Sequence, residues 1–423
     1  MKFDIIAFLT NPFIPMFLAT ITGLLLGKIK IGKFSLGQSG GLFTGILIGW
    51  ALYSKYAIPF IDPNDPAHGP VKNAPAYAVN YIKNGVISDQ FFTFTLILFI
   101  AAVGLLAAKD LSDVIKKNGL KFIILSIVVN GVGAVAIYLS TKIFQGQNEF
   151  AVAGAYTGAL TSSPGLAAAL EAVAKFGKEA QAQVGLGHTI AYAPGVLMII
   201  LVMNLFPLIF RIDVEKEKQR YALEMSSMSE KEVAVTKEKT IKSKGIDIIA
   251  FLVVCFVGYF VGSINIYIPF LKWVSLGATG GVLIMALVLG HFGKIGPLTF
   301  RMDDKILSAI RDISLSLFLS IVGLTYGYAT VSAILGSGAI LATISFVVGL
   351  LSMLSGFLLG RYVFKMDWIT LSGALCGAGT STPGLGAAID ATGSTEVGAS
   401  YGAAYPFGLL LRVMFVIILH QFT

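Results

Sequence analysis

Long apolar stretches separated by short polar segments dominate the pattern of hydrophobic and polar positions along the chain. Each stretch is close to the ~17 to 25 residues that an α-helix needs to cross a bilayer. Five of them precede a charged central segment, at 12–27, 34–53, 91–108, 120–141 and 184–210. Five more follow it, at 246–262, 274–290, 306–327, 338–360 and 397–419. The pattern therefore predicts an all-α polytopic membrane protein.

Two further apolar segments, at about 150–175 and 368–392, are interrupted by glycine and proline. The first contains GALTSSPGLAAALEA (158–172), and the second contains the closely similar GAGTSTPGLGAAIDA (377–391). Pro164 and Pro383 each remove a backbone donor and clash with the preceding turn. The sequence therefore predicts a broken helix or hairpin in each segment.

Shorter matches indicate that the proline motif belongs to a longer duplication. SLGQSGGL (35–42) corresponds to SLGATGGV (275–282), LILFIAAVGL (96–105) to LSLFLSIVGL (315–324), and AYAPG (191–195) to AYPFG (404–408). With the proline motif, these matches follow the same order in both halves. Ordered matches of this kind indicate a duplicated unit, which we place at 1–210 and 246–423 on either side of a linker at 211–245.

Composition and charge narrow the class of protein. Hydrophobic residues make up 56% of the chain and charged residues only 13%, which excludes an ordinary soluble domain. The net charge of +8 comes mostly from short connections between apolar stretches, where basic residues indicate membrane orientation rather than nucleic-acid binding. The linker mixes lysines with glutamates and has too few apolar residues for a core. We expect the linker to be a solvated cytoplasmic connection rather than a regulatory module. Its composition leaves open whether it is helical.

The distribution of basic residues also predicts the path of the chain, because connections rich in Lys and Arg stay on the cytoplasmic side. By this rule the connections at 28–33, 109–121, 211–245, 293–305 and 361–365 are cytoplasmic, and 58–89 and both termini are outside. The linker reaches the cytoplasm only if the 150–175 segment enters and leaves the membrane on one side. The two repeats then have inverted topology, each with about five transmembrane helices and one re-entrant hairpin, and the hairpins approach each other near the membrane midplane.

Residues around the two breaks are candidates for a binding site, since interrupted segments at matching positions of inverted repeats are typical of transporter sites. Hydroxyl groups, free backbone amides and the positive end of the next helix favour an anion such as a carboxylate. The alternative is that the hydroxyls only cap the next helix. We predict substrate binding by Thr161, Ser162, Ser163, Pro164, Gly165, Thr380, Ser381, Thr382, Pro383 and Gly384.

Arg412 lies inside the apolar stretch GLLLRVMFVIIL. An arginine in a membrane span costs at least ~2.5 kcal/mol to insert and is by default a candidate functional residue. Its planar guanidinium group matches a carboxylate through two hydrogen bonds. The alternatives are that the side chain reaches the membrane surface or pairs with a buried acid. We include Arg412 in the predicted substrate site.

Other polar residues in apolar stretches are assigned structural roles. Asn130 and Asn204 are expected to hydrogen-bond between helices. His188 is expected near a membrane interface. The acids Glu171 and Asp390 are expected to pair with nearby basic residues such as Lys175; the alternative is that they hold a cation or a proton.

Two glycine pairs, Gly40/Gly41 and Gly280/Gly281, are expected to let helices pack closely. The sequence contains no recognisable metal-ligand motif, nucleotide-binding loop or nucleophile elbow. We therefore predict neither an enzyme nor a bound cofactor or metal.

The doubled motif G-A-x-T-S-[ST]-P-G-L-x-A-A, with LGATGGVLIMALVLGHFGKIGPL (276–298) and AYPFGLLLR (404–412), resembles the bacterial aspartate:alanine exchanger family over nearly all of the membrane part. The resemblance implies ten spanning helices, outside termini and a cytoplasmic central loop. Many members carry two regulatory ligand-binding domains in that loop, whereas this chain has only the linker. Gly165 and Gly384 also stand where the family pattern has alanine after the proline.

The resemblance implies a secondary exchanger of small carboxylates, such as aspartate and alanine or a C4-dicarboxylate, in the bacterial inner membrane. Similar inverted-repeat folds suggest a homodimer in which the hairpin-bearing part moves like an elevator against a scaffold. One alternative is a sodium-coupled glutamate or organic-anion symporter with the same architecture. Another, of a different class, is a passive anion channel.

Overall fold

The protein is almost entirely helical in the computed structural model. The structure describes residues 4–422 except 32–33, 36, 64, 66–68, 109–110, 145–146, 174–175, 234–244, 269–271 and 337. Up to the end of the linker helix the described helices are α1 (Ile5–Leu9), α2 (Phe13–Gly27), α3 (Gly40–Tyr56), α4 (Ala76–Asn84), α5 (Asp89–Ala107), α6 (Leu111–Ile143), α7 (Glu149–Ala159), α8 (Ser163–Ala172), α9 (Lys178–Ile209) and α10 (Val214–Val233). After it they are α11 (Ile248–Ser263), α12 (Gly277–Phe292), α13 (Asp304–Leu335), α14 (Ala339–Leu358), α15 (Trp368–Ala378), α16 (Thr382–Thr392) and α17 (Val397–Phe422).

Six helices in the described part of the chain are long and apolar enough to cross a membrane. They are Asp89–Ala107, Val114–Ile143, Glu179–Ile209, Asp304–Ser332, Ala339–Val363 and Val397–Leu419. The helices Phe13–Gly27, Ile248–Ser263 and Gly277–Phe292 are also apolar but shorter. The prediction of a polytopic, all-α membrane protein is therefore confirmed, while the number of ten crossings stays a prediction.

Short antiparallel strand pairs replace the beginning of two predicted spans. β1 (Lys30–Ile31) pairs with β2 (Phe34–Ser35) before α3, and β3 (Ile266–Ile268) pairs with β4 (Lys272–Val274) before α12. The expected helices at 34–53 and 274–290 therefore begin at Gly40 and Gly277 instead. Glycines and serines between strand and helix favour turns over helix, which explains the later starts. A third pair, β5 (Lys294–Ile295) with β6 (Leu298–Thr299), follows α12.

Contacts divide the chain into two compact units. The first consists of Met1–Leu96 and Asp312–Ala342, and the second of Ile97–Arg311 and Thr343–Thr423. The core of the first unit includes Met16, Tyr56, Tyr81, Ile321 and Leu324, all buried. Both proline motifs, the linker helix α10 and Arg412 belong to the second unit.

Closely packed glycines join the short apolar helices within each unit. In the first unit, a Cβ atom placed on Gly23 of α2 would lie 2.3 Å from Cα of Gly41 in α3. In the second unit, a Cβ atom on Gly281 of α12 would lie 2.2 Å from the carbonyl oxygen of Gly258 in α11. Neither position has room for any larger residue, so close packing is the role of these glycine pairs.

Equivalent side chains begin the helices that lead into the two motifs. Asn148 accepts a hydrogen bond from the Ala151 N–H at 3.1 Å at the start of α7, and Asp367 accepts one from the Thr370 N–H at 2.8 Å at the start of α15. Both residues are preferred N-caps, since their side chains satisfy donors that the helix leaves free. Asn148 and Asp367 lie equally far ahead of their own motifs in the sequence, so the duplication includes the caps.

The linker begins with a regular helix, α10, that is attached to the second unit. Glu217 of α10 is only 8% exposed, and its carboxylate accepts two hydrogen bonds from Arg361, each 2.9 Å long. The same carboxylate accepts the Trp368 N–H at 2.7 Å, the first amide of α15. Arg361 lies in a single π-helical turn, Leu359–Val363, that continues α14. The described start of the linker is thus more than a solvated connection.

Candidate functional site

The first proline motif contains a helix break of defined geometry. α7 ends in a pair of hydrogen bonds, from the Thr161 N–H to the Gly158 carbonyl at 2.8 Å and from the Ser162 N–H to the Thr157 carbonyl at 2.8 Å. Between them Thr161 adopts the left-handed conformation, with φ of 56°. This is the Schellman arrangement, which usually has glycine at the left-handed position. The next helix, α8, begins at Ser163.

The second motif repeats this geometry at the matching positions. The Thr380 N–H donates to the Gly377 carbonyl at 2.9 Å, and the Ser381 N–H donates to the Cys376 carbonyl at 2.8 Å. Thr380 has φ of 53°. The two breaks are therefore alike in hydrogen bonds and in backbone conformation, and the predicted interruption is present in both segments.

The threonine at each break is an unusual choice for its backbone. Side chains with a branched Cβ are strongly disfavoured at positive φ, and a residue held in this region costs about 1–3 kcal/mol. Thr161 and Thr380 are 5% and 4% exposed, and neither Oγ1 atom has a hydrogen-bond partner among the described residues. Strain combined with an unsatisfied buried hydroxyl argues for a role other than packing.

The serines at the breaks have a different role from the threonines. Ser162 Oγ accepts the Gly165 N–H at 3.2 Å, and Ser381 Oγ accepts the Gly384 N–H at 3.1 Å. These bonds cap α8 and α16, as the alternative interpretation of the hydroxyls expected. Thr382 Oγ1 lies 3.4 Å from the Tyr401 hydroxyl. Among the described hydroxyls at the two breaks, those without partners are thus the ones of the two strained threonines.

Some predicted site residues fall partly outside the described structure. Ser163 and Pro164 begin α8, but their side chains, that of Glu171 and the whole of Lys175 lie outside what the structure describes. Pro383 is buried in the first turn of α16, where its missing N–H needs no partner. Asp390 is exposed at the end of the second motif.

Arg412 is fully buried in α17, with 0% of its surface exposed. None of its three guanidinium nitrogens has a hydrogen-bond partner within the described part of the chain. Its Cζ atom lies 4.6 Å from the centre of the Tyr156 ring of α7, a cation–π contact. Both structural alternatives are therefore unsupported, because the side chain does not reach the surface of the protein and forms no ion pair with a described acid.

The second helix of each motif packs against the long helix of the other half. α8 contacts α17, and α16 contacts α9. A Cβ atom on Gly165 would lie 2.9 Å from Arg412 Cγ, and a Cβ atom on Gly384 would lie 2.6 Å from Ile199 Cγ1. Ile199 thus occupies on α9 the place that Arg412 occupies on α17.

This correspondence makes the candidate site asymmetric, with a cation beside the first motif and an aliphatic side chain beside the second. The sequence already indicates this correspondence, because the alignment of AYAPGVLMI (191–199) with AYPFGLLLR (404–412) places Ile199 opposite Arg412. Sequence reasoning singled out Arg412 but not its counterpart. Ile199 is buried, as is the Cys376 thiol, which lies 3.1 Å from the same Cβ position on Gly384.

Asn130 connects α6 to α7 and α15, the helices that lead into the two breaks. Its Nδ2 donates to the Ala378 carbonyl at 2.9 Å, and its backbone carbonyl accepts the Tyr156 hydroxyl at 2.8 Å. The predicted interhelical hydrogen bond is therefore confirmed. Its Oδ1 atom is buried and has no partner among the described residues. Asn130 thus supplies a free acceptor close to the end of α15.

Two other polar residues of α9 have well-defined contacts within the protein. The predicted interhelical hydrogen bond of Asn204 is absent from the described part of the chain, where its Nδ2 donates to the Ile200 carbonyl of α9 itself at 2.9 Å. A partly exposed asparagine can satisfy its amide within its own helix in this way. His188 is 2% exposed, and its Nδ1 lies 2.9 Å from Thr157 Oγ1. It joins α9 to α7 inside the protein, and its expected position near a membrane interface stays a prediction.

Comparisons with known proteins give the family. The model described as the predicted permease membrane region of the Asp-Al_Ex family matches residues 76–208 and 250–421. An uncharacterized transporter of Desulfotalea psychrophila is 22% identical over 99% of this chain and 98% of its own length. A putative transport protein of Serratia proteamaculans is 24% identical over 94% of this chain and 96% of its own length.

A third relative matches only in part. An uncharacterized transporter of Bacteroides fragilis is 35% identical over 38% of this chain, and the matched part spans 30% of that relative. The alignment with the Desulfotalea protein extends over 570 positions although this chain has 423 residues. That relative therefore contains segments that this chain lacks. With the family match on most of both halves, the chain is a multi-pass membrane protein and transporter that belongs to the aspartate:alanine exchanger family of permeases.

Proposed function

We propose that the protein is a secondary active transporter that exchanges small carboxylates, such as aspartate and alanine or a C4-dicarboxylate, across the bacterial inner membrane. The observation that carries the proposal is the buried guanidinium group of Arg412, whose three nitrogens have no partner in the described structure. A buried, unpaired charge is strongly unfavourable. A carboxylate that binds there supplies the missing charge and two matched acceptors.

The two breaks support the same proposal. The hydroxyls of Thr161 and Thr380 have no partner among the described residues. In addition, α8 and α16 each begin at the break, where a helix end favours negative charge. The serine caps already satisfy one amide of each helix, at Gly165 and Gly384. We assign substrate contact to Arg412 and the two threonines, and we assign positioning of the helix starts to Ser162 and Ser381.

The elevator-like movement is a further part of the proposal. It is supported by the division of the chain into two compact units, one of which contains both motifs and Arg412. A unit that carries the whole site can move as a body without disassembling the site. The inner membrane, the homodimer and the outside termini are included as what the family resemblance implies.

A sodium-coupled symporter is the second candidate function. Neutral oxygen atoms are suitable ligands for a hard cation, and Asn130 Oδ1 and Thr380 Oγ1 are buried without partners among the described residues. The Asn130 amide nitrogen donates to the Ala378 carbonyl, which fixes its oxygen as the free acceptor. Dependence on sodium therefore needs a direct measurement.

Counterflow into proteoliposomes tests the proposal. Vesicles are loaded with unlabelled aspartate or alanine, and uptake of the labelled partner is measured with and without sodium. We expect saturable exchange that is lost in Arg412→Gln and retained in Arg211→Asn. Arg211 is a suitable control because it is exposed and has φ of 53°, a conformation that asparagine tolerates.

Each outcome of the counterflow experiment is informative. Exchange without sodium supports the exchanger, and uptake that requires sodium supports the symporter. Flux without saturation or counterflow supports a channel. Equal carboxylate exchange by wild type and Arg412→Gln would remove Arg412 from the site.

A further inference from the structure

A polar cleft separate from the motifs lies where α6, the linker helix α10 and the segment before α15 meet. Its volume is about 310 Å³. Its charged lining residues are Lys117, Lys121, Arg220, Glu224, Lys365 and Asp367. Four cations therefore face two carboxylates, and the cleft carries a surplus of positive charge.

The two acids in the cleft are already engaged. Glu224 accepts hydrogen bonds from Lys117 and from Arg220, whose Nε lies 3.0 Å from Glu224 Oε1. Asp367 is 3% exposed, and its Oδ1 caps α15 through the Thr370 N–H. Glu224 is thus shared by two of the four cations, and Asp367 is directed toward its own helix.

The other two cations have no acidic partner among the described residues. Lys121 projects from α6, and Lys365 precedes α15 with φ of 53°, an unfavourable conformation for lysine. The Lys365 carbonyl accepts a hydrogen bond from Arg220 Nη2 at 2.8 Å. This bond holds the strained turn beside the cleft. The ammonium group of Lys365 adds to the positive charge of the cleft.

We propose that this cleft binds a phosphate group. A phosphate monoester carries about −1.5 to −2 charges at neutral pH, which matches the surplus of two cations. Ammonium and guanidinium groups both form strong charge-assisted bonds with phosphate oxygens. The volume is at the lower end of the ~300–1,000 Å³ range of small-ligand pockets, so the ligand is small.

The position of the cleft makes a lipid headgroup one possible source of the phosphate. α6 is one of the helices able to cross a membrane, over Val114–Ile143, and the cleft lies beside the end of that segment. Basic pockets at the ends of membrane helices bind lipid headgroups. A free phosphate in solution has the same chemistry, so the ligand is a phosphate either from an anionic lipid or from a soluble ion.

Binding in the cleft strengthens a connection between the linker and the second motif. Glu217 and Arg220 lie on adjacent turns of α10, and Glu217 holds the first amide of α15. The other end of α15 leads to the break at Thr380. A phosphate bound by Lys121, Arg220 and Lys365 therefore ties α6, α10 and the start of α15 together.

Thermal unfolding of the full chain tests the site without a transport assay. In detergent, inorganic phosphate is compared with sodium chloride of equal ionic strength. We expect phosphate to raise the Tm of wild type by roughly 2–4 °C, and the double variant Lys121→Gln/Lys365→Gln to lose this rise. The control is Lys216→Gln/Lys294→Gln, which removes the same charge from exposed lysines outside the cleft and should keep the rise.

A second arm distinguishes the two sources. Wild type and the double variant are reconstituted in phosphatidylcholine discs with or without phosphatidylglycerol. Stabilisation by phosphatidylglycerol that needs Lys121 and Lys365 assigns the site to a lipid headgroup, and stabilisation by inorganic phosphate alone assigns it to a soluble ion. If neither addition separates wild type from the double variant, or if the control loses the same effect, the cleft is not a phosphate site.

Discussion

Thr161 and Thr380 occupy the same position in the two proline motifs and have the same left-handed backbone, with φ of 56° and 53°. Glycine would remove the strain at either position, yet both contain threonine. Because each Oγ1 is also buried without a described partner, we interpret the strain as the means by which a free hydroxyl is fixed beside the break.

This interpretation predicts that Thr161→Gly and Thr380→Gly separate binding from stability. Relief of strain offsets the greater flexibility of glycine in the unfolded chain, so we expect Tm to change little. Carboxylate affinity should fall by at least about ten-fold, as expected for one lost hydrogen bond to a charged group. The Tm without ligand measures stability, and the rise in Tm on adding a carboxylate measures affinity. Large losses of Tm with unchanged affinity would instead make the threonines structural.

Replacing Arg412 by a neutral side chain of similar length should stabilise the empty protein. Arg412→Met removes a buried charge that has no partner among the described residues and keeps most of the packing against Tyr156. We expect a gain of about 1–4 kcal/mol, the range seen when buried ionic groups are replaced by apolar ones. The same variant should show no Tm shift with any carboxylate.

Arg412→Lys is the matched control, since it keeps the charge but loses the planar pair of donors. We expect weak residual binding and no gain in stability. A lower Tm for Arg412→Met than for wild type in the absence of substrate would show that Arg412 has a partner that supports the fold.

The paired glycines allow a comparison of the charged and apolar sides of the candidate site. Gly165→Ala pushes against Arg412 Cγ, and Gly384→Ala pushes against Ile199 Cγ1. Each should cost about 1–3 kcal/mol of stability through overpacking. Only the displacement of Arg412 affects an anion partner, so Gly165→Ala should raise the KM for carboxylates several-fold more than Gly384→Ala. Equal effects on KM would contradict the asymmetry.

The contact between Glu217 and Arg361 should be a major source of stability for α10. Glu217→Gln leaves Arg361 without its carboxylate, and breaking a buried pair costs about 3–5 kcal/mol. The Arg361 side chain is 23% exposed, so we expect roughly 2–3 kcal/mol here. Unfolding of both single variants and of Glu217→Gln/Arg361→Gln gives the coupling energy. A coupling below about 0.5 kcal/mol would show that the pair is screened like a surface ion pair.

The cluster at Glu224 should make stability depend on pH below neutrality. Burial tends to raise the pKa of Glu224, but hydrogen bonds from Lys117 and Arg220 outweigh burial and lower it below its usual value near 4.5. Its contribution is therefore complete above about pH 4.5 and is lost as the pH falls through the lower, folded pKa. Burial raises the pKa of Asp367. The effect of Asp367 on the pH dependence of stability therefore has the opposite sign to that of Glu224.

A difference measurement isolates Glu224 from Asp367. The Tm of wild type minus that of Glu224→Gln should be positive at pH 7 and should shrink toward zero as the pH falls below about 4.5. Asp367 is present in both proteins and cancels to first order. A difference that is constant over this range would show that the pairs of Glu224 do not depend on its charge.

The sequence was sufficient for features that depend on neighbouring residues. Uninterrupted apolar stretches predicted the long helices, and Pro164 and Pro383 predicted the two breaks. The left-handed threonines were not predictable, because a branched Cβ argues against positive φ at any isolated position. Glu217, as part of a charged linker, was likewise expected in solvent. Its partners Arg361 and Trp368 are 144 and 151 positions away in the sequence, so no local pattern indicates them.

The other features that the sequence did not predict depend on contacts between residues far apart in the chain. Arg412 was a candidate site residue because a charged side chain is rare in an apolar stretch. Ile199 is apolar like its neighbours, and only its contact with Gly384 in the structure assigns it to the site. The helix starts at Gly40 and Gly277 shifted because strand pairs precede them. Substrate contact by the motif residues is the part that stays a prediction until binding is measured.

The packing of α8 on α17 and of α16 on α9 has a consequence for how such a protein can arise. Neither half contains the complete surroundings of its own motif, because each motif's second helix is supported by a helix from the other half. A single half synthesised alone would leave those surfaces bare, and it would need a second copy of itself to cover them. A gene encoding only one half would therefore have to act as a pair of chains, and fusion of two copies would make that pairing permanent.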